Sequence, residues 1–215
     1  MKVWSPAVAA ILVQLGLAIL GWGGFAAFFS HSPLLVLVVT TIVMGAAVLF
    51  TGGNLNPGER EDRRNRWVLS VFGVLGLLMA FVPAYCDRHG LLIFGDEGVR
   101  WSGIAIYVVG GVLRLWPVFV LGRRFSGLVA IQPQHELVTS GIYRFVRNPS
   151  YLGMLLASLG WALVFRSWLG VLLAVLVLVP LVARIRSEER LLAEHFGEQY
   201  ASYRRKTWRL VPGIY

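Results

Sequence analysis

Long apolar runs separated by short polar segments are the main pattern along this chain. No Asp, Glu, Lys or Arg occurs within residues 3–58, although a helix needs only about 20 apolar residues to cross a bilayer. Four runs are long enough to do so: Trp4–Phe29, Pro33–Thr51, Trp67–Tyr85 and Trp101–Gly122. The first run is longer than the apolar part of a signal peptide, about 7 to 15 residues, so we interpret it as a span.

A fifth apolar block, Pro149–Ala183, is interrupted near its middle by Arg166 and Ser167. Each half holds about 16 or 17 residues, which makes about 25 Å of helix at 1.5 Å per residue. This spacing predicts a tight helical hairpin. The expected fold class is therefore all-α, a polytopic membrane protein with about five or six transmembrane helices, formed by four spans and the hairpin.

Composition and charge agree with this fold class and orient it. The chain is 57% hydrophobic and 14% charged, with more apolar surface than a soluble core could bury. If the chain crosses the membrane at each run, all but four of its 20 Lys and Arg residues lie on one side. The exceptions are Arg88, Arg100, Arg114 and Arg166. The positive-inside rule then places both termini in the cytoplasm.

The net charge of +9 follows from the same bias and suits contact with anionic lipid headgroups. Because the basic residues are spread over several loops, the pattern does not indicate a nucleic-acid partner. Cys86 has no second cysteine and no neighbours at metal-ligand spacing, so we interpret it as structural and expect no metal. The loop Gly52–Arg66 has the Gly, Asn and Pro residues of a turn and is interpreted as a cytoplasmic linker.

Polar side chains collect after the fourth span, in Ile131–Gly141 and in Gly141–Gly153. The first segment could bind a polar small molecule through its amides and carboxylate, or it could be a solvated connector. In the second segment Pro149 suits the first turn of a helix. Asn148 then becomes the N-cap of a helix whose free N–H groups favour an anion.

Charged residues near this segment and in the terminal helix extend the set of candidates. Arg147 either belongs to a ligand site or anchors the chain among lipid headgroups. Arg184 and Glu188 are four residues apart and so share one helical face, and Gly197 suits the end of that helix. The helix either lies on the membrane surface or brings both side chains into one pocket with the Tyr143–Tyr151 segment.

The order and spacing of these residues resemble the isoprenylcysteine carboxyl methyltransferase family of integral membrane methyltransferases. The resemblance covers about the last 85 residues, and the first half shares with the family only its hydrophobic spans. The residues that carry it are Leu137, Val138, Thr139, Ser140, Gly141, Tyr143, Arg147, Pro149, Tyr151, Gly153, Glu188, Glu189, Leu192, Phe196, Gly197, Tyr200, Tyr203, Arg209 and Pro212.

The resemblance implies a methyltransferase that uses S-adenosyl-L-methionine and releases S-adenosyl-L-homocysteine, with the cofactor in a pocket closed by the C-terminal segment. Arg184 is implied to bind the substrate's anionic group, and Arg147 is the second expected catalytic residue, holding the helix terminus or meeting the cofactor carboxylate. Cofactor contacts are implied for Gln132, His135, Glu136, Leu137, Val138, Tyr143, Asn148, Pro149, Ser150, Tyr151 and Glu188.

Two positions depart from the family's pattern. The loop around Gln132 differs in length. Asn148 stands where family members often have His, so a protonated imidazole at this position is no part of the mechanism. Methyl transfer to a carboxylate does not require one, because the carboxylate is already ionised near neutral pH and positioning supplies much of the barrier reduction.

The function that follows is carboxyl methylation of a lipophilic, isoprenylcysteine-like substrate. N-methylation of a lipid amine such as phosphatidylethanolamine is an alternative that would require a base, and Glu189 is the nearest candidate. Methylation of a small thiol is a further alternative. A related C-terminal architecture also occurs in NADPH-dependent sterol reductases, so reduction of a sterol is another. A non-catalytic scaffold or transporter is a further class, which the intramembrane charge of Arg114 would favour.

We expect one membrane domain over residues 1–215. Residues 1–122 would hold transmembrane helices 1 to 4, and residues 123–215 a catalytic region with the helical hairpin 149–183 and a C-terminal amphipathic helix. The active site would lie at the cytoplasmic face. The expected partners are the lipid bilayer and a lipophilic or prenylated substrate, while the true methyl acceptor and the oligomeric state stay open.

Overall fold

The structure, a computed structural model, describes residues 4–49, 60–121, 129–131 and 137–215. Its helices are α1 (Trp4–Gly21), α2 (Phe25–Phe29), α3 (Ser32–Leu49), α4 (Trp67–Arg88), α5 (Glu97–Leu121), α6 (Pro149–Val164), α7 (Trp168–Leu176), α8 (Leu178–Phe196) and α9 (Glu198–Arg205). The two-residue strands β1 (Arg60–Glu61) and β2 (Ala130–Ile131) pair with each other, and 3-10 turns cover Arg63–Asn65 and Gly141–Arg144. The prediction of an all-α protein is confirmed over this described part.

Within the part of the chain that the structure describes, three helical stretches are long and apolar enough to cross a bilayer: Arg63–Arg88, Glu97–Pro117 and Trp168–Phe196. Shorter apolar helices cover Val8–Gly21, Ser32–Ala47 and Pro149–Val164. Large apolar side chains such as Leu12, Val43 and Val74 point outward and are exposed. An apolar exterior of this kind fits lipid as the solvent, and the protein is an integral membrane protein.

The first apolar run is not one helix, which differs from the predicted span Trp4–Phe29. The chain breaks between α1 and α2 at Gly23 and Gly24, whose φ angles are +98° and +100°. Residues with a side chain rarely adopt such angles, whereas glycine adopts them freely. The indole of Trp22 then packs against Phe28 and Phe165 at this turn.

The predicted break near Arg166 is confirmed. α6 ends at Val164, Arg166 adopts a left-handed φ of +46°, and Ser167 caps α7 by accepting a hydrogen bond of 3.1 Å from the Gly170 amide. The Arg166 guanidinium bonds the buried carboxylate of Asp87 on α4 at 2.7 Å. This ion pair ties the turn between α6 and α7 to the end of α4.

The pair α5 and α6 is in backbone contact, because glycines face each other at the crossing. A Cβ on Gly153 would lie 2.6 Å from the Gly110 carbonyl oxygen, and a Cβ on Gly110 would lie 2.8 Å from the Gly153 carbonyl oxygen. Small residues permit this close approach of membrane helices. One turn beyond Gly110, Arg114 is thereby brought against the first turn of α6.

The last apolar stretch runs through α7 and α8 and continues into a polar helical end. α8 carries the Arg184 and Glu188 pair and stops at Gly197, whose φ is +52°. The predicted end of this helix is therefore confirmed. Leu181 and Ile185 are fully buried on α8 and pack in a cluster with Leu210 from the chain's end.

The predicted linker Gly52–Arg66 is described only from residue 60 onward, and that part is not a free linker. Its strand β1 pairs antiparallel with β2, Arg60 opposite Ile131 and Glu61 opposite Ala130. The first half of the chain thus touches the segment that leads into the expected site, which turn composition alone could not predict. Cys86, in contrast, is buried in α4, consistent with its structural interpretation.

Candidate functional site

Tyr151, Arg184 and Glu188 meet in one hydrogen-bonded cluster. Arg184 Nε donates to the Tyr151 hydroxyl oxygen at 2.7 Å, and the same hydroxyl donates to Glu188 Oε2 at 2.7 Å. Arg184 is buried and Glu188 is half-buried. Of the two arrangements expected for the terminal helix, the structure shows the one in which Arg184 and Glu188 face the Tyr143–Tyr151 segment.

The cluster is extended by Arg114 from α5. Arg114 Nη1 donates to Ser150 Oγ at 2.9 Å, and the Ser150 hydroxyl lies 3.2 Å from the Arg114 carbonyl oxygen. The Arg114 guanidinium is also within electrostatic range of Arg184 and Glu188. Charges inside a membrane are costly and face the interior of the bundle or a polar cavity. Here α5 and α8 contribute the charged side chains and α6 contributes two hydroxyls.

A second carboxylate, Glu189, has a different environment from Glu188. Its Oε1 receives Arg147 Nε at 3.0 Å, and its Oε2 receives Arg209 Nε at 2.9 Å. Arg147 also donates to backbone oxygens of Arg204 and Thr207. Glu189 is 5% exposed, and both of its oxygens are held by arginines.

These arginines fasten a C-terminal strap, residues 206–215, over the segment before α6. The amide of Arg147 donates to the Trp208 carbonyl and the amide of Trp208 to the Phe145 carbonyl, each at 2.9 Å. The Asn148 side chain donates to the Arg209 carbonyl at 2.9 Å. Main-chain pairing and ion pairs together hold the strap against the site.

Asn148 occupies the N-cap position of α6 and Pro149 the first turn, as the sequence predicts. The Asn148 side chain makes no capping bond to α6, since its amide bonds the strap. Asn148 therefore does not cap the N–H groups of this first turn, and a helix N-terminus favours an anion.

Two phenols lie near the cluster, the buried Tyr143 and the half-buried Tyr203. Burial raises the pKa of Tyr143 above its usual range, and the charge of Glu188 and the nearby Tyr203 add to the shift. Burial raises the pKa of Tyr203 to about 12, with Arg147 opposing the shift and Glu189 adding to it. Tyr203 donates a hydrogen bond of 2.7 Å to the Tyr143 carbonyl. Both phenols therefore stay protonated at neutral pH and cannot serve as bases there.

The other expected site residues divide into two groups. Leu137 and Val138 lie half-buried in the segment before the Gly141–Arg144 turn. Gln132, His135 and Glu136 lie outside the described residues. No group of three or more His, Cys, Asp or Glu within the described part could hold a metal ion.

Sequence reasoning did not assign Arg114 or Arg209 to the site. An intramembrane arginine was the available signal for Arg114. It was the best support for a transporter, but in the sequence Arg114 is also about two helical turns from Gly122 and so within reach of the expected pocket. The contact of Arg114 with Ser150 depends on the close crossing of α5 and α6, which no local pattern shows. The role of Arg209 depends on the strap returning to α8.

Comparisons with known proteins show which families this chain resembles. A model of the phospholipid methyltransferase family matches residues 99–199. A protein-S-isoprenylcysteine O-methyltransferase from Schizosaccharomyces pombe is 30% identical over 202 residues, covering 89% of this chain and 84% of the relative. This match extends well beyond the last 85 residues in which the resemblance was found.

Further relatives match over shorter stretches. Protein-S-isoprenylcysteine O-methyltransferase B from Arabidopsis thaliana is 34% identical and covers 52% of this chain and 58% of the relative. A steroid 5-alpha-reductase from Solanum lycopersicum is 32% identical and covers 61% and 51%. The solved structure of a eukaryotic intramembrane Ras methyltransferase, an isoprenylcysteine carboxyl methyltransferase, aligns with a TM-score of 0.51 at 17% identity, over 100% of this chain and 88% of that one. The last comparison shows a common fold.

Proposed function

The chain belongs to the protein-S-isoprenylcysteine O-methyltransferase family, and we propose that it methylates the carboxylate of an isoprenylcysteine with S-adenosyl-L-methionine as methyl donor. The observation that carries this proposal is the cluster of Arg184, Tyr151 and Glu188, joined by two hydrogen bonds of 2.7 Å. It offers cationic and anionic groups side by side at the end of apolar helices, as a lipophilic acid and a charged cofactor require.

The cofactor would be held by groups of both signs. Glu188 would bind its amino group or ribose hydroxyls, and Tyr143 and Tyr151 would pack against it. The uncapped first turn of α6 at Asn148, Pro149 and Ser150 would face its carboxylate. Gln132, His135, Glu136, Leu137 and Val138 would complete the pocket. Bound S-adenosylmethionine supplies a methyl group on a cationic sulfur, and its transfer to a carboxylate oxygen needs no proton transfer.

The chain's own residues would orient the acceptor. Arg184 would hold the substrate carboxylate by a charge-assisted hydrogen bond, and Arg114 would add a second cation from α5. Tyr151 would fix the position of the Arg184 side chain relative to that of Glu188. Fixing two reactants in this way can account for much of a methyl transfer's acceleration. Arg147, with its bonds to Glu189 and the strap, would keep the pocket closed.

Methylation of a lipid amine is the second candidate, because the phospholipid methyltransferase model matches residues 99–199. An amine must lose a proton before it attacks the methyl group. Glu189 was the expected base, but both of its oxygens are bonded to arginines. A carboxylate acceptor needs no such base, and for this reason we favour it.

The orientation that we propose places both termini and the site in the cytoplasm, in keeping with the positive-inside rule. Residues 1–122 would form the first membrane helices and residues 123–215 the catalytic region of a single domain with five or six spans. Labelling would test this: Glu198→Cys should react from the cytoplasmic side and Glu97→Cys from the other, in a Cys86→Ala background. Reaction of both from one side would contradict the topology.

Binding of S-adenosylhomocysteine to the detergent-purified protein, measured by calorimetry, tests the cofactor site. Glu188→Gln should weaken binding by about 1.5–3 kcal/mol, the value of a hydrogen bond to a charged group. The matched control is Glu198→Gln, which removes an exposed carboxylate paired with Arg205. No binding by a folded wild type would contradict the proposal.

Acceptor preference needs a separate assay with wild-type enzyme and a labelled methyl donor. A farnesylcysteine analogue with a free carboxylate should be methylated, whereas the same compound as its amide should not. Vesicles of phosphatidylethanolamine provide the alternative acceptor. Methylation of the vesicle amine at a higher rate than the farnesylated acid would favour the second candidate.

A further inference from the structure

Residues 60–66, which we call the β1 segment, dock on α8 beside the two charged site residues. The Ser187 hydroxyl donates to Asp62 Oδ2, and Asn65 Nδ2 donates to the Ala183 carbonyl at 3.4 Å. Ser187 and Asn65 are both buried, at 6% and 8% exposure. In the sequence, Ala183 immediately precedes Arg184 and Ser187 immediately precedes Glu188, so both contacts fall on the same two turns of α8.

The same segment also pairs with the strand that precedes the expected cofactor loop in the sequence. The Asp62 amide donates to the Val129 carbonyl at 3.0 Å, which continues the pairing of β1 with β2. Val129 is buried and packs against Leu191 on α8. Because β2 ends at Ile131, the residue that follows it is Gln132. Three parts of the chain therefore meet at Asp62: the β1 segment, α8 and the strand that leads into the loop.

Asp62 itself is held in place by its own turn. Its second oxygen, Oδ1, accepts a hydrogen bond of 3.1 Å from the Arg64 amide, an arrangement in which an aspartate caps a 3-10 turn. One oxygen of the Asp62 carboxylate thus bonds its own turn, and the other bonds Ser187 of α8. A rotation of α8 about its axis, which would turn Glu188 away from Tyr151, would break the Ser187 bond.

We propose that Asp62 is a positioning residue for cofactor binding, acting through Ser187 on Glu188. The inference rests on the proposed function, since that function assigns Glu188 to the cofactor. It gives the first half of the chain a part in the site, although all of the expected cofactor contacts lie in the second half.

A purely structural contact would behave differently from a positioning one. If the junction only stabilised the fold, removing it would lower the melting temperature and leave the affinity of the folded protein unchanged. A positioning junction instead weakens cofactor affinity at temperatures where the variants are folded. It also leaves kcat at saturating donor close to the wild-type value, because Arg184 and Tyr151 still orient the acceptor.

The test compares Ser187→Ala, Asp62→Ala and the double variant by calorimetry with S-adenosylhomocysteine. Ser158→Ala is the matched control, because Ser158 also lies on a membrane helix but its hydroxyl bonds the Met154 carbonyl of its own helix. We expect each single variant to weaken binding about tenfold, the double variant to be no weaker than Asp62→Ala, and Ser158→Ala to equal wild type. Non-additivity of this kind is the mark of two residues acting through one contact.

The outcomes separate this inference from the proposed function. If wild type binds and the folded single variants bind as well as wild type, the positioning role is wrong and the proposed function stands. If the single effects simply add in the double variant, Asp62 does not act through Ser187 and the inference is also wrong. If folded wild type does not bind, the proposed function fails, and the positioning role fails with it.

Discussion

Arg147 and Glu189 form an ion pair of 3.0 Å between Nε and Oε1, although 42 residues separate them in the chain. Both side chains are more than nine-tenths buried. The other oxygen of Glu189 receives Arg209 from the C-terminal strap. One carboxylate therefore fastens both the segment before α6 and the strap to α8.

Glu189→Gln should destabilise the protein strongly, because it leaves Arg147 buried without its charge partner. Breaking a buried pair in this way costs about 3–5 kcal/mol. Unfolding in detergent, compared with the exposed-pair control Glu198→Gln at about 0–1 kcal/mol, measures the effect. A Glu189→Gln protein of wild-type stability that had lost only amine methylation would instead identify Glu189 as a base.

Tyr151→Phe removes the hydroxyl between Arg184 and Glu188 and leaves the ring. Each lost bond involves a charged group and is worth about 1.5–3 kcal/mol, so kcat/KM for the acceptor should fall roughly ten- to a hundredfold. Tyr107→Phe is the control, because its hydroxyl bonds Thr41 away from the site. Steady-state kinetics that showed equal losses in both variants would contradict the role of Tyr151.

Arg114→Gln should raise the KM for the acceptor about tenfold, since it removes a charge-assisted bond to the substrate carboxylate. Arg114→Lys should raise it less, because it keeps the charge but loses the planar fork. Affinity for S-adenosylhomocysteine should change little in either variant. The exposed Arg88→Gln serves as the control for loss of a cation. An unchanged acceptor KM in Arg114→Gln would remove Arg114 from the substrate site.

Asp87→Asn tests stability at the other end of the helices. The fully buried Asp87 carboxylate lies 2.5 Å from Arg100 Nη1 and 2.7 Å from Arg166 Nη2. Its loss leaves Arg166 without the Asp87 charge and Arg100 with the exposed Glu97 carboxylate at 3.3 Å. This should cost about 3–5 kcal/mol, with unchanged affinity for S-adenosylhomocysteine in the folded protein. Asp96→Asn, at an exposed position, should stay within about 0.5 kcal/mol of wild type. Denaturation with a parallel binding assay separates the two effects.

Alkaline pH should weaken the contact between Tyr203 and Tyr143. The unfolded pKa of a tyrosine is about 10, and burial raises that of folded Tyr203 to about 12. Because the folded state favours the protonated phenol, its contribution is fully present below pH of about 10 and is lost as the pH rises toward about 12. Tyr203→Phe should flatten the pH dependence of stability in this window. Identical slopes for both proteins would contradict the shift.

Much of the helical architecture followed from the sequence, because a bilayer demands long apolar runs and the chain has them. The break at Arg166 was predictable, since a charge interrupts an apolar block there. The break at Gly23 and Gly24 was not, because two glycines within an apolar run are compatible with a continuous span until the φ angles are known. In the structure, Trp22 packs against Phe28 and Phe165 at this break, a contact between residues that no local pattern relates.

The site divides in the same way. Four-residue spacing on one helix determined that Arg184 and Glu188 share a face, and motif order related them to the Tyr143–Tyr151 segment. The sequence could not show that Tyr151 joins the two, that Arg114 approaches from α5, or that the two neighbouring glutamates have different partners. Adjacent residues on a helix point about 100° apart, so their environments depend on what packs on each side.

By itself, then, the sequence determined the membrane class, the main helices and the family resemblance, because these depend on local composition and on the order of residues. Only the tertiary structure decided that Glu188 faces Tyr151 while Glu189 binds Arg147, and that Asp62 reaches Ser187. These contacts join residues far apart in the chain, and they exist only where close helix packing brings the partners within hydrogen-bond distance.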